Sequence, residues 1–147
     1  MRKFTISVDI PAPPGRVWEV ISDVDRWHEW TPSINSIKRI KDAPLAIGSS
    51  AVVRQPKFPP AMWTVTRLEP GRGFTWAARG LGFRTFGDHW VEPIPSGSRA
   101  TLSVEQKGLF GGLMGRLTRR ITERYIALEA AGLKARCENP KYRHSAA

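Results

Sequence analysis

A chain of 147 residues with 41% hydrophobic content is long enough for one domain with its own core, needing neither disulfide nor metal support. Its single cysteine, Cys137, permits no internal disulfide, and its apolar runs fall far short of the ~20 residues that cross a bilayer. The formal charge of +10 permits an anionic partner without identifying one. Near the N-terminus, Phe4, Ile6, Val8 and Ile10 alternate with polar residues, which predicts a strand with one buried face. Thr5, Ser7 and Asp9 also interrupt any signal-peptide core before Pro11, so a cytoplasmic location is expected.

Pro13 and Pro14 suit the first turn of a helix, and Val17, Trp18, Ile21 and Val24 then recur at helical spacing. That helix is expected to be short, because Asp23, Asp25 and Pro32 interrupt the pattern while Trp27 and Trp30 turn a corner. Further strands are predicted over Ser36–Lys41, Ser49–Gln55, Met62–Leu68, Phe74–Arg79, Phe83–Pro93 and Arg99–Lys107. Proline and glycine clusters separate them, including Pro56/Pro59/Pro60 and the run 70–73, as in an antiparallel meander.

From Leu113 the period becomes helical. Leu113, Met114, Leu117, Ile121, Tyr125, Leu128 and Leu133 form one stripe, with Arg116, Arg119, Arg120 and Glu123 opposite. The pattern as a whole predicts an α+β architecture. A curved antiparallel sheet of about seven strands wraps a long C-terminal helix, and two short helices close one end. Residues 1–138 are expected to form this single domain and residues 139–147 a flexible tail.

The segment from Pro13 to Ile34, the run from Gly87 to Gly108 and the C-terminal helix together resemble the SRPBCC superfamily, the START/Bet v 1-like helix-grip proteins. The similarity is greatest to its bacterial polyketide cyclase/dehydrase-like members and covers roughly residues 2–136. The resemblance implies a cavity between sheet and helix. It implies no catalytic set, because the superfamily mixes carriers, receptors, cyclases, chaperone cofactors and oxygenase subunits.

Trp63, Trp76, Phe83, His89, Leu117, Ile121 and Tyr125 are the residues expected to line such a cavity, with Trp27 either lining it or packing the corner beside Trp18 and Trp30. Alternation does not fix the facing of Trp63, Trp76 and Trp90, since apolar groups occupy both phases around them. His89 shares a strand phase with Phe83, Thr85 and Val91 and is the candidate for proton transfer, although a structural, hydrogen-bonded histidine has the same signature. Asp88 and Glu105 fall on the other phase and read as solvated.

Other chemistries lack their residues. His28, His89, His144 and Cys137 have no metal-ligand spacing, the glycines of Gly108–Arg116 match neither phosphate-binding pattern, and no Gly-x-Ser-x-Gly element occurs. No metal or cofactor is expected. The leading expectation is binding or transport of a hydrophobic or amphipathic molecule such as a lipid, isoprenoid or aromatic polyketide. A cyclase or dehydratase using His89 is the alternative, and a protein-interaction module of the chaperone-ATPase-activator kind is a third. Between Gly111 and Ala147 stand eight basic and three acidic residues. This basic helix suits weak contact with an anionic membrane or an acidic protein. No specific nucleic-acid site is expected, because interleaved aromatics and known motifs are absent.

Overall fold

The structure, a computed structural model, describes residues 2–139. The expected tail, apart from Asn139, lies outside the described residues. The elements in chain order are β1 (Arg2–Ile10), α1 (Pro14–Ser22), a 3-10 helix (Val24–Glu29), β2 (Ser36–Arg39), β3 (Ser50–Gln55), β4 (Phe58–Glu69), β5 (Gly73–Gly80), β6 (Phe83–Ile94), β7 (Gly97–Lys107), α2 (Gly111–Leu117) and α3 (Arg119–Glu138). The strands form one antiparallel sheet in the order β1-β7-β6-β5-β4-β3-β2. This is the helix-grip fold expected from the sequence.

The strand order has a structural consequence. β1 and β2 are consecutive strands yet occupy opposite edges, so the chain between them must cross the whole sheet. It does so through α1 and the 3-10 helix, whose buried Val17, Val20, Ile21, Val24 and Trp27 lie on the concave face. Pro13 and Pro14 open α1 as the sequence implied. α3 packs chiefly over β1 and β7, where Ile126 and Ala130 meet Leu102, Ile6 and Val104. The concave faces of the central strands are thereby left partly uncovered.

Two expectations require correction. The Pro56/Pro59/Pro60 cluster does not lie between strands, because β4 begins at Phe58 and contains both Pro59 and Pro60. Proline is tolerated there because the β4–β5 ladder runs only from Thr64–Ala77 to Glu69–Gly73, leaving the first half of β4 unpaired on that side. The C-terminal helix is also not one continuous stripe. It divides at Thr118, whose hydroxyl donates to the Met114 carbonyl at 2.8 Å.

The face buried by α3 is Thr122, Ile126, Ala130, Leu133 and Cys137, about one position round from the leucine-rich stripe. α2 buries Gly111 and Gly115 instead of Leu113 and Leu117. A Cβ at Gly111 would lie 2.9 Å from the Gln106 carbonyl oxygen, so the glycine face sits directly on β7 backbone and the leucines point outward. Gly132 serves α3 in the same way, since a Cβ there would overlap the carbonyl oxygen of Trp30.

Gly132→Ala is therefore expected to destabilise the fold by about 1–3 kcal/mol in urea titration, despite alanine's higher helix propensity. Gly15→Ala, in the open first turn of α1, is the matched control and should be neutral or stabilising by up to about 1 kcal/mol. Equal effects at the two sites would contradict the close packing of α3 on the corner.

Burial pushes the Cys137 thiol up to about 12 from an ordinary 9.0. Its folded value is raised, so the associated stability is complete below about pH 9 and is lost as pH rises towards 12. At mildly alkaline pH a thiol reagent should label Cys137 only after denaturant is added. Immediate labelling of the folded protein would contradict its burial.

Candidate functional site

The uncovered concave surface forms a cavity of about 470 Å³ between the sheet, α2 and α3. Its floor is an aromatic cluster centred on Trp27. That side chain is 2% exposed, and its ring lies 4.7 Å from His89, 5.2 Å from Trp76, 5.7 Å from Trp30 and 5.9 Å from Phe74, centroid to centroid. Its indole N–H donates to the Ile21 carbonyl at 3.0 Å, so the polar atom of this buried ring is satisfied. Trp27 thus packs the corner and faces the cavity with the same side chain.

Ladder register resolves the facing of the strand tryptophans. Val65 pairs with Trp76 and Phe74 with His89, which places these four residues on the concave face. Trp63, two residues before Val65, lies beside Trp76 at 5.6 Å. Opposite Trp76 stands Gly87, where a Cβ would come within 3.2 Å of the indole, so a side chain there would press on the wall. Trp90 falls on the convex face instead, with the Arg67 guanidinium 4.6 Å above its ring.

The rim lies where β4 and β5 diverge. Pro59, Pro60 and Ala61 from one strand and Ala78, Arg79 and Gly80 from the other line the cavity beyond their last paired residues. Tyr125 completes that side: its ring meets Phe58 edge-on at 5.7 Å, and its hydroxyl accepts the Lys57 backbone N–H at 3.1 Å. This contact ties α3 to the β3–β4 hairpin across the cavity.

A hydrogen-bonded polar pair stands in the wall, which also carries Gln106, Thr118 and Thr122. His89 Nε2 lies 3.1 Å from Glu129 Oε1, bridging β6 to α3. The imidazole is stacked on Phe74 at 4.9 Å, and its Nδ1 is buried with no hydrogen-bond partner among the described residues. An ionised carboxylate accepts only, so Nε2–H is the donor of this bond. Glu129 is the more open member, at 16% side-chain exposure against 7% for His89. The pair therefore offers the cavity a carboxylate edge held in place by the histidine.

Of the residues expected at the cavity, Trp27, Trp63, Trp76, Phe83, His89 and Tyr125 line it. Leu117 and Ile121 do not. Leu117 is 68% exposed, because the glycine face of α2 took the inward position and the chain turned at Thr118. Met114, Thr118, Thr122, Ile126 and Glu129 line the helical wall in their place. Glu129 could have been found from its spacing of seven from Thr122 and three from Ile126, had the stripe not been set on the leucines.

Asp88 and Glu105 fall on the convex strand phase but are not fully solvated, and Asp88 also borders the cavity. Asp88 accepts hydrogen bonds from Thr75 (2.6 Å) and Ser103 (2.7 Å), its cross-strand neighbours on the convex face. Glu105 is mostly buried beside Lys107 at 3.2 Å and Lys3 at 4.0 Å.

Residues 1–138 match the family model described as polyketide cyclase/dehydrase and lipid transport. Among curated proteins, the toxin Rv0910 of Mycobacterium tuberculosis is 32% identical over 87 residues, which make up 56% of this chain and 59% of the relative. The aromatase/cyclase Zhui from Streptomyces sp. R1128 has a similar structure, with a TM-score of 0.76 at 16% identity, covering 99% of this chain and 98% of that one. Major latex-like protein 151 from Panax ginseng superposes with a TM-score of 0.75 at 11% identity, over 94% and 98% of the two chains. At these identities the solved structures establish the shared fold alone.

Removing His89 alone should strand a partly buried carboxylate. His89→Ala is expected to lower stability by about 2–4 kcal/mol, through lost stacking and lost pairing. In a double-mutant cycle with Glu129→Gln, measured by denaturant unfolding, the pair should show a coupling of about 0.5–3 kcal/mol. Strict additivity would mean that the 3.1 Å contact contributes nothing in solution.

Proposed function

The chain belongs to the polyketide cyclase/dehydrase and lipid transport family, and on that footing we propose that it binds one hydrophobic or amphipathic small molecule in the cavity between its sheet and α3. The observation that carries this reading is the combination of a roughly 470 Å³ space, of ordinary ligand size, with walls of tryptophan and aliphatic side chains. Burying ~180 Å² of apolar ligand surface is worth on the order of 4–5 kcal/mol before ordering costs, with no catalytic group involved. Glu129 and His89 add one fixed polar contact. The favoured ligand is accordingly a largely apolar molecule, such as a lipid, an isoprenoid or an aromatic polyketide, bearing a hydroxyl or other hydrogen-bond donor that meets the Glu129 carboxylate.

The His89–Glu129 pair also supports a second reading, in which the family's cyclase or dehydratase chemistry operates here. A carboxylate held beside an apolar surface is a suitable base for removing a proton from a folded polyketide, and His89 would orient it. Proton transfer would then centre on Glu129, with His89 as its positioning partner. The aromatase/cyclase similar in fold lends this reading its substrate class.

Native mass spectrometry of protein purified from its own host should detect a retained small molecule. Thr122→Phe, which places a ring in the cavity from its buried helical wall, is expected to lower occupancy at least tenfold while the protein stays folded, at a cost of about 1–3 kcal/mol. Undiminished occupancy in this variant would exclude the cavity as the binding site. Glu129→Gln separates the two readings, because the carrier predicts altered affinity with no turnover to lose. The cyclase predicts turnover down about a hundredfold at nearly constant affinity.

A further inference from the structure

The rim of the cavity carries large apolar side chains that point away from the protein. Leu81, at the tip of the β5–β6 hairpin, is 93% exposed, and Leu109, just before α2, is 87% exposed. Phe110, Leu113 and Leu117 are exposed as well. These residues belong to one end of the molecule. The Phe110 backbone N–H donates to the Gly82 carbonyl at 2.8 Å, and a Cβ on Gly82 would overlap the Phe110 ring, so hairpin tip and α2 entrance are packed together. Gly80, Phe83, Met114 and Thr118, interleaved with the exposed residues, line the cavity. The apolar patch is therefore continuous with its wall.

Around the patch the charge is one-sided. Arg79, Arg84 and Lys107 are cross-strand neighbours on β5, β6 and β7, and Arg116, Arg119 and Arg120 flank the α2–α3 junction. Against these six cations stand Glu105, paired with Lys107, and Glu123, paired with Arg119. Arg79, Arg84, Arg116 and Arg120 make no ion pair among the described residues. An apolar patch flanked by six cations, four of them outside any ion pair among the described residues, is the signature of a surface that dips into the headgroup layer of an anionic bilayer.

We propose that this end of the molecule docks on anionic membrane, inserting Leu81, Leu109, Phe110, Leu113 and Leu117 while the arginines engage lipid headgroups, and so brings the cavity rim against the bilayer. The proposal rests on the cavity reading only for its purpose, the exchange of a membrane-soluble ligand. Glycine explains why the leucines are available: Gly111 and Gly115 are the buried residues of α2, which leaves Leu113 and Leu117 exposed. A helix whose leucines served the core could not do this.

Flotation with vesicles at near-physiological salt tests the proposal. Wild-type protein should bind vesicles of equal amounts of phosphatidylcholine and phosphatidylglycerol at least tenfold more tightly than phosphatidylcholine alone. A Leu81→Ser/Leu109→Ser/Leu117→Ser variant and an Arg116→Gln/Arg119→Gln/Arg120→Gln variant should each lose on the order of tenfold or more, since each cation near a charged surface contributes severalfold. All six side chains are exposed, so both variants should unfold like wild type and keep the cavity occupancy seen by native mass spectrometry. Absence of vesicle binding, or equal binding by wild type and both variants, would overturn the proposal. So would tighter binding to polyglutamate than to vesicles, which would indicate an acidic protein partner, or self-association abolished by the leucine variant, which would make the patch an interface between copies. Vesicle binding by protein that never retains a cavity ligand would leave the docking surface standing and defeat the cavity reading instead.

Discussion

Trp27 sits where the crossing segment, the sheet and the cavity meet. The strand order forces the chain to span the sheet between β1 and β2, and this ring anchors the crossing against Phe74, Trp76 and His89. Its indole N–H is bonded within the corner, to Ile21, leaving the ring faces for packing. Replacing it with a small side chain would remove the floor of the cavity and the ring beside His89 together. The corner and the pocket are thus one packing problem solved by one residue.

The placement of α3 follows from that corner. Gly132 lets the helix approach the Trp30 carbonyl, and Ile126 and Ala130 then seat it over β1 and β7 and leave the concave faces of β4 to β6 only partly covered. The cavity exists because the helix covers one side of a curved sheet. Its walls are fixed by strand register: the Val65–Trp76 pairing and the absence of a side chain at Gly87 give the tryptophan its position. Against this largely apolar surface, the His89–Glu129 contact supplies a directional polar element.

Much of this was legible in the sequence because period carries it. Phe4 to Ile10 alternate cleanly, and the strands from Phe74 to Lys107 are bounded by glycine and proline turns whose conformations only a few residues accept. The segment from Pro13 to Trp30 announced its corner through two prolines and clustered tryptophans. The helical wall was less legible because hydrophobicity pointed the wrong way. Leu113 and Leu117 stand out in any apolar count, yet glycine wins the inward face where two backbones approach closely, and Thr122 and Glu129 are polar residues on a buried face. Period alone cannot signal a helix that turns at Thr118, or a helical carboxylate whose partner lies forty residues away on strand β6. Trp63 and Trp76 needed register, which two-sided apolar strands do not encode locally.

The account stands or falls on whether small apolar molecules enter the space between sheet and helix. Fluorine NMR of protein labelled with 5-fluorotryptophan places a reporter on each side of the sheet, and each resonance can be assigned by single Trp→Phe substitution. Titration with the amphipathic probe 1-anilinonaphthalene-8-sulfonate should shift the resonances of Trp63 and Trp76 on the cavity wall and leave Trp90, on the convex face beside Arg67, unchanged. Movement of Trp90 with Trp63 and Trp76 unaffected would place binding on the wrong side of the sheet and contradict the account.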